Sequence, residues 1–143
     1  MMRPEIQITA EAYLLAAVCT LLLPAKWLIG WIIAVTIHEA GHLLALSALG
    51  IPVYSITVSP SGAGILTGCI PPHQELFCAA AGPICSLLLL ILTPLFPAAA
   101  MIGLVQGLFN LLPVYPLDGG RMVRAMKRII LDSLPDRKIP CKE

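Results

Sequence analysis

Apolar residues fill most of the chain and fall into four runs separated by short polar or turn-forming stretches. The runs cover about residues 10–23, 27–49, 76–96 and 98–112. An α-helix rises about 1.5 Å per residue, so the second run is long enough to cross a hydrocarbon core about 30 Å thick. The fourth run is short for a span and ends at Pro113. We therefore predict an all-α polytopic membrane protein with about four transmembrane helices, forming one membrane-embedded domain over residues 1–143.

The stretch between the second and third runs has a different pattern. Along residues 53–59, Val, Ser, Thr and Ser at the odd positions alternate with the apolar Tyr, Ile and Val at the even positions. Residues 60–64 are the turn formers Pro-Ser-Gly-Ala-Gly. Alternation is typical of a strand, and the turn residues indicate that a second strand follows. We predict a small β-hairpin at the membrane surface between spans two and three, with an edge that can accept an extended peptide by strand addition. An ordinary connecting loop is the alternative.

Composition and charge also indicate a membrane protein. Only 12% of the residues are charged, whereas a soluble domain has about 25%. All nine Lys and Arg residues lie outside residues 27–117, and seven of them lie at or after Arg121. This distribution argues against nucleic acid as a partner and places the basic tail at the anionic cytoplasmic face of the lipid bilayer.

Orientation follows from the position of the basic tail. With about four spans, both termini of this multi-pass cell-membrane protein are predicted to be cytoplasmic. Residues 119–134 can form a basic amphipathic helix that lies on, or enters, the cytoplasmic leaflet.

A candidate metal site lies in the second run, at His38-Glu39-Ala40-Gly41-His42. Two histidines four positions apart lie on one face of a helix, so both imidazoles can reach the same ion. Glu39 cannot reach that ion as a ligand from its own position, but it can accept a proton from an attacking water. The alternative is a chance match to a short motif. Against it, a glutamate in lipid is costly unless it has a function.

A second candidate group lies between Asn110 and Arg121. Two prolines forbid a regular helix there, and two glycines allow the backbone to turn sharply just after Asp118. We predict that Asp118 is presented from a non-helical segment. Hydrolytic zinc normally has three protein ligands, and Asp118 is the obvious third one. The alternative is that Asp118 only caps a helix that begins near Gly119.

The two groups together resemble the site-2 protease family, peptidase family M50, whose members are intramembrane zinc metalloproteases. The resemblance covers about residues 27–125 and rests on two separated motifs in the right order. They are His38-Glu39-Ala40-Gly41-His42, then Asn110-x-x-Pro113 with Leu117-Asp118-Gly119-Gly120. Residues 80–83, Ala-Ala-Gly-Pro, also resemble the small-residue motif in the family's middle core helix. In size and motifs the chain looks most like the bacterial sporulation branch that acts on a membrane-tethered pro-sigma factor.

The resemblance implies a role for each of these residues. His38, His42 and Asp118 would bind one zinc ion, and Glu39 would activate the attacking water. Asn110 would hold the substrate backbone or the oxyanion, with an interhelical hydrogen bond as the alternative. The implied enzyme is a zinc metalloendopeptidase that cuts in or near a transmembrane segment of a membrane-embedded or membrane-associated protein, in regulated intramembrane proteolysis.

Two other classes of protein stay open. A non-catalytic membrane protein would bind substrate helices or metal without cutting, but it would have no need of Glu39 together with three ligands. A metal-ion transporter also places His and Asp in the bilayer, yet transporters usually contain an internal repeat of spans, and we find none here. Many members of the family have six spans, so a homodimer or a regulatory membrane partner would be one way to complete the core of this chain.

Overall fold

The computed structural model describes residues 4–60 and 62–133, and this part of the chain is mostly helical. A short strand and a first helix are followed by a long helix, a β-hairpin and three further helices. In chain order the elements are β1 (Glu5–Ile8), α1 (Ala10–Leu22), α2 (Ala25–Ala48), β2 (Val53–Ser59), β3 (Gly62–Thr67), α3 (Pro72–Leu88), α4 (Pro97–Asn110) and α5 (Asp118–Asp132).

The β-structure is larger than the sequence predicts. The hairpin of β2 and β3 is present and antiparallel, which confirms the strand prediction for this stretch over the connecting-loop alternative. β1 adds a third strand, parallel to β2, with Glu5 opposite Ser55. The chain is mostly helical as predicted, but the predicted hairpin is part of a three-stranded sheet, and its third strand was not predicted. A four-residue strand whose partner lies far along the chain leaves too short an alternation to be recognised from sequence.

The four apolar runs correspond to α1, α2, α3 and α4, with ends that differ from the predictions by a few residues. The largest difference is in the third run, where α3 ends at Leu88 and a 3-10 turn, Leu89–Leu92, follows. Two segments are long and apolar enough to cross a membrane, namely Ala25–Ala48 and Pro72–Leu92. Helices α1 and α4 are apolar but shorter, so the number of four spans stays a prediction.

Small residues bring α2, α3 and α4 into close contact. A Cβ atom at Gly41 would lie 2.7 Å from the carbonyl oxygen of Ala81, so this glycine lets α2 approach the backbone of α3. On α4, a Cβ atom at Gly103 would lie 2.9 Å from the carbonyl oxygen of Ser86. Side chains larger than hydrogen would force these helices apart. The close packing matters for the site because it places α3 directly behind the histidines of α2.

Helix α1 lies at the edge of this bundle. None of its residues is buried in the described structure, and Tyr13, Leu14 and Leu21 are among its exposed apolar side chains. An apolar helix that packs so little against its own chain is suited to a lipid environment. It also leaves a wide opening between α1 and α4, into which the candidate site opens.

Candidate metal centre and active-site cleft

The two histidines of α2 project from one face of the helix toward the same point. Both are buried, and their ring centroids lie 5.0 Å apart. The Nε2 atoms of His38 and His42 each lie 3.2 Å from Oδ2 of Asp118. The structure therefore brings together the three residues that the sequence proposes as metal ligands.

Helix α3 holds each imidazole through its other ring nitrogen. Nδ1 of His38 lies 2.8 Å from Oγ of Ser86, and Nδ1 of His42 lies 2.8 Å from the carbonyl oxygen of Cys78. A carbonyl oxygen can only accept, so Nδ1 of His42 is the donor in that hydrogen bond. In the neutral ring the lone pair of His42 is then on Nε2, where it can bind a metal ion. Such a partner on the far side of the ring is typical of histidines that bind metal.

Asp118 reaches the histidines from the first residue of α5. We predicted Asp118 in a non-helical segment, and this prediction is wrong because Asp118 is already in the first turn of α5. The segment before it, residues 111–117, is irregular. No side-chain hydrogen bond caps α5, so the capping alternative for Asp118 is not observed. Gly119 and Gly120 allow the start of α5 to lie close against the preceding segment, since a Cβ at either position would collide with the backbone of residues 111–115.

The carboxylate of Asp118 has partners on both oxygens. Oδ2 faces the two histidines, and Oδ1 accepts a hydrogen bond from Nη1 of Arg121 at 3.3 Å. Burial by itself would raise the pKa of Asp118, but the neighbouring imidazoles of His38 and His42 outweigh it and hold this pKa well below its usual range. The group is therefore an ionised carboxylate, which is the form that binds a metal cation.

The three ligand atoms fit a zinc ion. All of them lie within 4.8 Å of one another. Ligands at the usual zinc distances in a tetrahedron lie about 3.3 Å apart, close to the separations of the histidine nitrogens from Asp118. Two neutral imidazoles and one carboxylate, with a fourth position free for water or substrate, form a donor set that hydrolytic zinc uses.

Glu39 lies beside this group without joining it. Its Oε1 atom accepts a hydrogen bond from the backbone N–H of Ala63 at 3.1 Å. Ala63 belongs to β3, directly after the hairpin turn, so the sheet reaches over the candidate site. The contact fixes the direction of the Glu39 carboxylate and leaves its second oxygen for other partners.

A cleft of about 870 Å³ leads to these residues. Apolar side chains of α1, α2 and α4 form most of its walls, including those of Tyr13, Trp31, Val35, Ile102 and Phe109. His38, Glu39 and Asp118 line the same cleft. An apolar groove that ends at a polar centre can take up an apolar segment and present its backbone to the centre.

Asn110 also lines the cleft, at the end of α4. Its Nδ2 donates to the backbone oxygen of Gln106, one turn earlier, at 3.2 Å. This bond lies within α4, so the structure does not show the interhelical hydrogen bond considered above. The amide oxygen of Asn110 makes no hydrogen bond in the described part of the chain.

Sequence reasoning missed several residues that shape the site. Ser86 and Cys78 both lie on α3, and only the three-dimensional packing shows that they contact the histidines. Gln106 was recognisable, because it is a polar residue in an apolar helix, one turn before Asn110. Its Oε1 atom is buried and has no hydrogen-bond partner among the described residues.

Known proteins resemble this chain in sequence and in architecture. The model of peptidase family M50 matches residues 90–140. A zinc metalloprotease of Methanocaldococcus jannaschii is 32% identical over 108 residues, covering 66% of this chain and 32% of the relative. A Synechocystis protein that is provisionally named a zinc metalloprotease is 38% identical over 122 residues, covering 70% of this chain and 32% of that protein. Among solved structures, the site-2 protease of Methanocaldococcus jannaschii matches with a TM-score of 0.71 and 26% identity, over 94% of this chain and 70% of that protein.

These matches support peptidase family M50. The M50 model itself covers Asn110 and Asp118 but not the histidines of α2, whereas the match to the solved site-2 protease extends over nearly the whole chain. The structural match to the site-2 protease therefore includes both halves of the candidate site. The chain spans about a third of the length of the curated zinc metalloproteases it matches.

Proposed function

We propose that this chain is an intramembrane zinc metalloprotease that hydrolyses a peptide bond in or near a transmembrane segment of a membrane protein. The observation that carries the proposal is the meeting of His38, His42 and Asp118 at one buried point, with Glu39 beside them. The zinc metalloprotease names of the M50 relatives support the same chemistry.

In this proposal His38, His42 and Asp118 hold one zinc ion. Zinc at this position would supply Lewis acidity, which polarises the scissile carbonyl and acidifies the attacking water. Ser86 and the carbonyl of Cys78 keep both imidazoles in the orientation that binding requires. Arg121 orients the carboxylate of Asp118 from its other oxygen.

Glu39 acts as the general base and then as the general acid. It accepts a proton from the water as the water oxygen forms its bond to the carbonyl carbon. When the C–N bond breaks, Glu39 delivers that proton to the leaving nitrogen, so that a carboxyl and an amine group are released. The hydrogen bond from Ala63 would hold one oxygen of the Glu39 carboxylate in place beside the site.

The cleft between α1 and α4 would admit the substrate from the lipid. A helical peptide bond is hydrogen-bonded and shielded, so the segment must unwind before it is cut. β3 is one of the two edge strands of the sheet and can bind the unwound backbone by strand addition. On the opposite wall, the amides of Asn110 and Gln106 can bind further backbone groups or the developing oxyanion.

Three finer statements are part of the proposal and rest on the sequence. They are the role in regulated intramembrane proteolysis, the relation to the sporulation branch and its pro-sigma-factor substrate, and the cytoplasmic position of both termini. We also propose, again from the sequence, that a homodimer or a regulatory membrane partner completes the core.

The test combines metal content with cleavage. Wild type and Glu39→Gln are purified in detergent, analysed by elemental mass spectrometry and incubated with model single-span peptides that carry a Gly-Pro pair in the apolar helix. We expect about one zinc per chain in both proteins and cleavage by wild type alone. Cleavage by Glu39→Gln at the wild-type rate, or wild type without zinc, would contradict the proposal.

The same variant separates the rival classes of protein. A metal-ion transporter would take up zinc into proteoliposomes and would keep that uptake after Glu39→Gln. A binding protein without catalytic activity would hold zinc and the model peptides but leave both wild-type and variant incubations uncut.

A further inference from the structure

A second cavity, of about 470 Å³, lies on the other side of the hairpin turn from the apolar cleft. One wall of this polar cavity is β3, and the opposite wall is α5. The residues that line both the polar cavity and the apolar cleft are Ser59, Gly62, Ala63, Pro116 and Arg121. The two spaces therefore meet beside Glu39 and Asp118, where the proposed reaction takes place.

Arginine side chains dominate the charge of the polar cavity. Arg121, Arg124 and Arg128 line it, and Glu75 is the single carboxylate among its described lining residues. Glu75 accepts hydrogen bonds from Arg124 at 2.9 Å and from Arg128 at 3.2 Å. Arg121 is paired with Asp118, whereas Arg124 and Arg128 share Glu75, so the cavity is left with one excess positive charge. An anionic group would be attracted to it.

Arg124 is the arginine best placed to bind such a group. Its side chain is 51% exposed, so it can turn toward a ligand while Arg128 continues to bind Glu75. The ring of Tyr115 lies under its guanidinium group, 5.5 Å from the ring centroid, and limits the positions that the side chain can occupy. A planar guanidinium held in this way can bind a carboxylate through two parallel hydrogen bonds.

The wall formed by β3 favours a peptide as the source of that carboxylate. β3 pairs with β2 on one side only, so its outer edge presents backbone donors and acceptors to an extended chain. A lipid headgroup would need the arginines but would make no use of a strand edge. Since the polar cavity meets the apolar cleft, a substrate chain can pass from one space into the other.

We propose that the polar cavity selects substrates with acidic residues on one side of the scissile bond. The apolar part of the substrate occupies the cleft between α1 and α4. The acidic flank lies along β3 with a carboxylate on Arg124. This inference rests on the proposed protease function and adds the substrate class to it.

The test uses three model peptides that share one apolar helix and differ only in a flank of several Glu, Gln or Lys residues. Cleavage is measured in phosphatidylcholine vesicles, which carry no net charge, for wild type, Arg124→Gln and Lys127→Gln. Lys127 is the matched control because it lies on the same helix, is exposed and lines neither cavity. The Glu flank should exceed the Lys flank in kcat/KM by about tenfold in wild type, mainly through KM.

Arg124→Gln should reduce this preference to less than about threefold, whereas Lys127→Gln should keep it. The readout is the ratio of kcat/KM for the Glu flank to kcat/KM for the Lys flank, because general damage to the fold lowers both values together. Equal kcat/KM for all three flanks in wild type, or an unchanged preference in Arg124→Gln, would overturn the inference.

Binding measurements separate this inference from the function on which it rests. The fluorescently labelled flank peptides are titrated into Glu39→Gln and into Glu39→Gln combined with Arg124→Gln. Tighter binding of the Glu flank, lost with Arg124, supports the acidic-substrate site even where no peptide is cut. If phosphatidylglycerol vesicles displace the Glu flank by occupying Arg124, the site is a lipid site and the inference is wrong.

Discussion

Gly82 of α3 lies directly against the imidazole ring of His42. A Cβ atom at position 82 would overlap Nε2 and Cε1 of that ring, the edge that faces Asp118. Position 82 must therefore be glycine for His42 to reach its place in the metal site. This contact gives a physical reason for the small-residue stretch at residues 80–83, which separates the two motif regions in the sequence.

Gly82→Ala should remove most of the zinc. The added methyl group must push either the His42 ring or α3 out of place, and overpacking of this kind costs about 1–3 kcal/mol. Elemental mass spectrometry after dialysis against a weak chelator is the measurement. Gly64→Ala is the control, because a Cβ at Gly64 lies 3.6 Å from the nearest atom and fits. Wild-type zinc content in Gly82→Ala would show that this contact does not limit the site.

Ser86→Ala should weaken zinc binding without abolishing it. Ser86 is fully buried, and its Oγ is the partner of Nδ1 of His38. Loss of a hydrogen-bond partner behind a metal-binding histidine typically costs about 10–100-fold in metal affinity. Affinity is measured by competition with a fluorescent zinc chelator. Ser47→Ala, an exposed serine on α2, is the matched control and should bind zinc as wild type does. An unchanged affinity in Ser86→Ala would rule out this positioning role.

Glu75→Ala should destabilise the contact between α3 and α5. The buried Glu75 carboxylate binds Arg124 and Arg128, and this pair of bonds fastens α5 to the start of α3. Hydrogen bonds to charged groups contribute about 1.5–3 kcal/mol, but both arginines are partly exposed, so we expect a loss of about 1–2 kcal/mol. Thermal unfolding in detergent, followed by Trp fluorescence, measures it. Asp132→Ala at the exposed end of α5 should leave the midpoint unchanged, and a midpoint unchanged in Glu75→Ala would contradict the role.

Gln106→Leu should have opposite effects on stability and on turnover. The buried Oε1 of Gln106 has no partner among the described residues, and such an orphan costs about 1–3 kcal/mol. Leucine removes this cost, so the free energy of unfolding should rise. Model-peptide cleavage should lose affinity, seen as a higher KM, because the amide no longer binds the substrate. Gln74→Leu lies outside both cavities and serves as the matched control. A lower stability with unchanged KM would mean that Gln106 is a packing residue.

Local features of the site could be predicted from sequence. The spacing of His38 and His42 is one helical turn, and helical periodicity depends only on neighbouring residues. The irregular segment before Asp118 was predictable for a similar reason, because proline lacks a backbone donor and disfavours helix wherever it lies. The exact start of α5 was not, since a helix end is decided by packing as well as by residue type.

The sequence by itself determined the membrane class, the apolar helices, the hairpin and the chemical identity of the candidate ligands. Only the tertiary structure decided that α3 supplies Ser86, the carbonyl of Cys78 and the cleared space at Gly82. It also decided that β1 joins the sheet and that arginines of α5 face β3 across a cavity. Each of these contacts joins segments far apart in the chain, and no local periodicity encodes which distant surfaces will pack together.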